Sequence, residues 1–208
     1  MTESEWLTCG DPGQMLPLLR GKATDRKLRL FAAACGRYLW ADLTDDRSRR
    51  AVVVAERFAD GQATERELQD AASAARGSTQ DSSSIGSAAD AADVAAWTAS
   101  SASGYAIAFH VMIAGTADLE SQHQAALLRD IFGPLPFRPC TLDRAWLTST
   151  VEAIAIAIYQ DYAFDRLPIL ADALEDAGCT NAEILNHCRQ NADHHRGCWA
   201  LDLILGKT

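Results

Sequence analysis

Helical periodicity bounded by capping residues recurs along this 208-residue chain. Leu28, Phe31, Cys35 and Leu39 follow at i, i+3, i+7 and i+11, and Ala32 and Trp40 widen the stripe. An apolar stripe of that period lets one face of an α-helix be buried. The starts are marked as well. Thr2 with Glu5 and Thr64 with Glu67 have capping-box spacing, and Asp11-Pro12 sets a cap before a proline at the first helical position. Thr24, Thr44-Asp45-Asp46 and Asn181 stand ahead of further apolar runs, while Gly21, Gly61, Gly133, Gly178 and Gly206 fall where such runs end. Alanine is the commonest residue at 38 positions, which weighs against a mainly β chain. The expected fold is all-α, a compact multi-helix bundle of about eight to ten helices.

Two stretches interrupt the pattern. Gly77 to Ser87 reads GSTQDSSSIGS, a composition with little to bury. It is expected to be a flexible segment within a single domain spanning 1–208, separating an N-terminal lobe (1–76) from a C-terminal lobe (88–208). Pro134, Pro136 and Pro139 forbid a helix, so Pro134 to Leu142 is expected to be an extended connection. Ser149 with Glu152 is then read as the cap of a helix through the alternating Ala153 to Ile158. Asp165 is read as the cap of the helix carrying Pro168, and a last helix is expected from about His194.

The net charge is −9 and the charge is uneven. Nine basic and four acidic residues lie between Arg20 and Arg50, a local excess of five positive charges. From Glu152 to Glu183 seven acids face only Arg166. An acidic chain is a poor candidate for nucleic-acid binding or for adhesion to anionic membranes. Within the basic stretch, Arg26, Lys27, Arg37, Arg47, Arg49 and Arg50 form a candidate charged docking face for a protein partner. Met1 to Gly10 lacks the basic and apolar regions of a signal peptide, and the apolar run Tyr105 to Ala114 is too short to span a bilayer. The expected location is cytoplasmic, with the cysteines at 9, 35, 140, 179, 188 and 198 reduced and mostly core fillers.

No phosphate loop, nucleophile elbow, HExxH or CxxC is present. The richest set of possible ligands is HCRQNADHHRGCW, at His187 to Trp199. His194 and Cys198 are i, i+4 and would share a helix face. His187 or Cys188 could join them, although these neighbours point about 100° apart on a helix and would not both reach one ion. A zinc-type site at His187, Cys188, His194 and Cys198 is therefore a candidate, with Cys179 as a possible further ligand. Glu120 and His123 make one ExxH, where a carboxylate-bridged di-iron bundle needs two. Asp161, Asp165 and Asp172 with Arg166 are better explained as a solvated face. The five tryptophans, Trp6, Trp40, Trp97, Trp146 and Trp199, read as core anchors.

Several blocks occur together: GKATDRKLRLFAAAC, RSRRAVVVAERFADG, ALLRDIFG, FRP, AFDRLPILADALEDAGC, HCR and RGCWALDLILGK. As a set they resemble a large bacterial family whose members share these blocks at both ends and vary in the alanine-rich middle. The resemblance brings no activity, cofactor or catalytic residue with it. Its members often carry further cysteines at the positions of Ala33 and Gly36, which implies that no ligand is required there. Cys35, His187, Cys188, His194 and Cys198 fall inside the shared blocks; His195, Glu120 and His123 fall outside them.

Two functions follow from the residues. The first is a non-enzymatic protein-interaction or regulatory module, motivated by strong core patterning, polarised charge and no catalytic signature. The second is a metal-binding protein or metal-dependent enzyme using the C-terminal His/Cys cluster.

Overall fold

The computed structural model describes residues 1–81, 118–134, 136–190 and 192–207, with only the backbone described at 78–81 and 118–120. These residues hold ten α-helices and no strand, so the fold is all-α. The helices are α1 (Glu3–Thr8), α2 (Pro12–Met15), α3 (Asp25–Tyr38), α4 (Asp46–Ala59), α5 (Glu65–Asp81), α6 (Asp118–Phe132), α7 (Ser149–Asp161), α8 (Leu167–Asp176), α9 (Ala182–Arg189) and α10 (Trp199–Leu205). Among the described residues no helix is long and apolar enough to cross a membrane. The chain divides into two compact units, Met1–Arg129 and Asp130–Thr208, with the last turn of α6 belonging to the second.

In the first unit the capping residues act as their spacing predicts. The Thr2 hydroxyl accepts from the Glu5 N–H and the Glu5 carboxylate accepts from the Thr2 N–H. The same reciprocal pair joins Thr64 and Glu67. Thr24 and Asp45 cap α3 and α4. Helix α3 packs on α4 and α4 on α5. Small residues make the α4–α5 contact close: Ala51, Ala55, Ala71, Ala72 and Ala75 are buried there with Val54 and Leu68. The larger anchors Trp6, Met15, Leu16, Leu19 and Phe31 are fully enclosed, each removing apolar surface worth about 2 kcal/mol.

Part of the basic stretch is engaged in ion pairs within the first unit. Arg37 makes a bidentate pair with the buried Glu56, at 2.9 and 2.7 Å. Arg26 pairs with Asp60 at 3.0 Å, and Arg47 with Asp45 at 2.8 Å. Lys27 and Arg29 are buried. The guanidinium groups of Arg37 and Arg49 lie over Trp40, at 4.3 and 5.6 Å from its centroid. Of the six residues proposed for docking, Lys27 is buried, Arg26, Arg37, Arg47 and Arg49 are half-buried and Arg50 is exposed. The physical reason is proximity: α4 and its two caps bring Glu56, Asp60 and Asp45 within ion-pair reach of Arg37, Arg26 and Arg47.

The second unit is built from α7 to α10. Val151, Ala155 and Ile158 of α7, Leu167, Leu170 and Leu174 of α8, Ile184 of α9, and Leu201 and Ile204 of α10 form one buried cluster. Trp199 is buried in this cluster and Trp146 packs at its edge, half-buried like Trp40, while Trp97 lies outside the described residues. Helix α7 ends on Tyr162 in the left-handed region, at φ 56°. That conformation is costly for a residue with a Cβ. Ring contacts hold it: Phe164 edge-on at 6.0 Å and the Arg196 guanidinium 4.2 Å above the ring.

Several boundaries differ from the sequence reading. Helix α5 runs to Asp81, so 77–81 continue the helix, and 82–87 lie outside the described residues. Within the expected extended connection, the Phe137 and Arg138 N–H groups donate to the Pro134 carbonyl and make a turn. Thr148, not Ser149, caps α7. Asp165 caps nothing, because a 3-10 turn at Phe164–Arg166 leads into α8 and leaves its carboxylate exposed. The last helix begins at Trp199, not His194. Gly197 at φ 93° makes the preceding turn, with the Cys198 N–H donating to the His195 carbonyl.

Candidate metal centre

Four buried side chains of the second unit converge: Asp130, His187, His194 and Cys198. They come from three segments. Asp130 stands in the last turn of α6, on the edge of a stripe formed by Leu127, Leu128 and Ile131. His187 is on α9, whose start is fixed by the Asn181 side chain accepting from Glu183 and Ile184. His194 and Cys198 lie in the irregular stretch before α10, so they meet through a turn and not through a shared helix face.

The donor atoms are close. His187 Nε2 lies 3.1 Å from Cys198 Sγ and 3.3 Å from Asp130 Oδ1. His194 Nδ1 lies 2.6 Å from Asp130 Oδ1 and 3.9 Å from Cys198 Sγ. All four donors fall within 4.8 Å of one another. Zinc bonds of about 2.0–2.1 Å to N or O and about 2.3 Å to S imply tetrahedral edges of about 3.3–3.6 Å. The measured separations straddle that range. The second carboxylate oxygen, Oδ2, accepts the His195 backbone N–H at 3.1 Å. That bond engages Oδ2 and leaves Oδ1, which faces both imidazoles, as the oxygen through which Asp130 would ligate. The His194 Nε2 is buried without a hydrogen-bond partner, so this ring is oriented from its Nδ1 side.

The two imidazoles keep the Asp130 carboxylate ionised. Burial alone would push the Asp130 carboxyl up. Hydrogen bonds with His187 and His194, and their charge, outweigh burial and hold it far below the ordinary carboxylate range. An ionised Asp130 and a Cys198 thiolate would together balance a divalent ion, giving a neutral buried centre.

A Cys–His–Asp relay is the obvious competitor, and the geometry opposes it. Both Cys198 and Asp130 approach the same nitrogen, Nε2 of His187. A relay needs the acid on the nitrogen remote from the sulfur. Cys198 is also fully enclosed, with 0% exposure.

Of the residues proposed from sequence, His187, His194 and Cys198 meet and Cys188 does not. Cys188 points into the apolar cluster. Burial, with Cys179 and the Asp130 charge adding to it, pushes its thiol up to about 12, which keeps it protonated. Cys179 is buried in the same cluster and is not among the four donors. Asp130 was the residue missed; its signal was a single acid beside an apolar helical stripe, in the block ALLRDIFG. His123 stacks on Tyr38 at 3.8 Å, and the Glu120 side chain lies outside the described residues. Asp161, Asp165, Asp172 and Arg166 are exposed, and Asp172 pairs with Arg189. No family model, curated protein or solved structure matches the chain.

Proposed function

We propose that the chain is a helical zinc-binding protein whose ion is held by Asp130, His187, His194 and Cys198 and ties together the second unit. The observation that supports this reading is the convergence of four buried donors of compatible chemistry from three segments. A site with four protein donors and no open position is a structural centre, not a hydrolytic one. Its role is to hold the last turn of α6, α9 and the segment before α10 together within the second unit. The interaction-module reading has less support, because three of the six cations that motivated it, Arg26, Arg37 and Arg47, are paired within the first unit.

Elemental analysis of protein carrying no histidine tag tests the proposal. The expected content is about one zinc per chain, retained through gel filtration. Cobalt(II) reconstitution should give intense tetrahedral visible bands and a thiolate charge-transfer band that Cys198→Ser abolishes. Sub-stoichiometric metal after zinc reconstitution would overturn the reading.

A further inference from the structure

The metal ligands are supported by a contact that sequence spacing does not announce. Gly133 follows the last turn of α6, three residues after Asp130, in the left-handed region at φ 49°. A Cβ placed there would lie 2.5 Å from Trp199 Cδ1 and Cγ. The indole edge therefore occupies the space that any larger residue at 133 would fill. The Trp199 ring also lies 4.9 Å from the His187 ring, inclined at 51°. Trp199 directly follows the ligand Cys198 and is 3% exposed. One side chain thus touches the end of the helix that carries Asp130, the ring of His187, and the backbone next to Cys198.

We propose that Trp199, seated against Gly133, is the positioning residue of the metal centre: it sets the separation between Asp130 on α6 and the His187 and Cys198 donors. This inference rests on the zinc-binding reading. The reasoning is geometric. Gly133 directly follows the helical turn that carries Asp130, and His187 and Cys198 belong to other segments. A rigid, two-torsion indole wedged between them fixes their spacing before an ion arrives. Groups of this kind, which orient ligands without binding the ion, commonly alter metal affinity about 10–100-fold when replaced. The ring of His194 adds a second constraint by standing edge-on to His187 at 4.8 Å. Trp199 approaches His187 independently of that contact.

The test compares wild type, Trp199→Leu, Trp199→Phe and, as a packing control, Ile158→Val in α7, which contributes no donor. Zinc affinity is read by competition with a chromophoric chelator, and coordination by the cobalt(II) spectrum. Trp199→Leu is expected to keep a stoichiometry of about one ion at saturation, to lose about tenfold or more in affinity, and to shift the cobalt(II) bands. Trp199→Phe keeps a ring but under-fills the notch, so a smaller loss with a measurable band shift is expected. Ile158→Val should lower the melting temperature and leave both affinity and spectrum unchanged. Wild-type affinity and spectrum in the leucine variant would overturn the inference; if that variant does not fold, the same result in Trp199→Phe overturns it. A wild-type protein that binds no zinc removes the zinc-binding reading itself, and this inference with it.

Discussion

Asp130 is an anion with almost no water around it, and its environment shows how a single side chain can organise three stretches of chain. One oxygen meets two imidazoles and the other receives a backbone N–H. A buried carboxylate without such partners would be strongly unfavourable. The same enclosure sorts the cysteines. All six are free thiols; Cys35, Cys179, Cys188 and Cys198 are buried, and Cys9 and Cys140 are half-buried. Burial and the neighbouring Glu183 push the Cys140 thiol up, which slows its reaction with alkylating agents. Brief native labelling followed by mass mapping should therefore modify Cys9 first, Cys140 slowly and the other four only after denaturation. The ligand set was only partly legible from sequence for a residue-scale reason. Asp130 is 64 residues from His194, and its place beside an apolar helical stripe is all that marks it locally. His194 and Cys198 stood out because they are neighbours in the chain.

At the scale of the elements, sequence reasoning works where the physics is local. The capping boxes at Thr2 and Thr64 and the caps at Thr24 and Asn181 each depend on residues two or three positions away, and all are made. It fails where a turn competes with a helix. Gly197 lets the backbone before α10 take a left-handed turn, so the i, i+4 pair His194 and Cys198 meets without a helix. It also fails for charge, since a count of cations does not say which acid each one meets. Helices α3 and α4 are joined by such a pair, Arg37 with Glu56, whose carboxylate side chain is only 3% exposed. Replacing one partner leaves a poorly solvated charge behind. Arg37 retains some solvent at 22% exposure, so Glu56→Ala should cost about 2–3 kcal/mol, the low end for a buried pair. Urea unfolding with an unchanged m-value is the measurement that checks it.

For the molecule as a whole, the division into units gives metal removal a local signature. An ion bound only by the folded state stabilises it by RT ln(1 + [L]/Kd), about 2.7 kcal/mol at a hundredfold excess over Kd. All four donors belong to Asp130–Thr208. Stripping the metal with a chelator should thus raise hydrogen exchange across α9 and α10 and leave α3 and α4 of the first unit at their original rates. Uniform loss of protection in both units would count against a centre that stabilises only the second. The acidic total of −9 does not follow this partition: Met1–Arg129 carries −4 and Asp130–Thr208 carries −5.

The turn at Gly197 has a further consequence for anyone wishing to alter this protein. Irregular stretches between helices are ordinarily where insertions, tags and new termini are tolerated. The one between α9 and α10 is bracketed by His187 and Trp199 and holds His194 and Cys198 at a fixed reach from Asp130. A single residue added between His194 and Cys198 would displace one donor or the other. For protein engineering this loop is therefore as intolerant of length change as the interior of a helix.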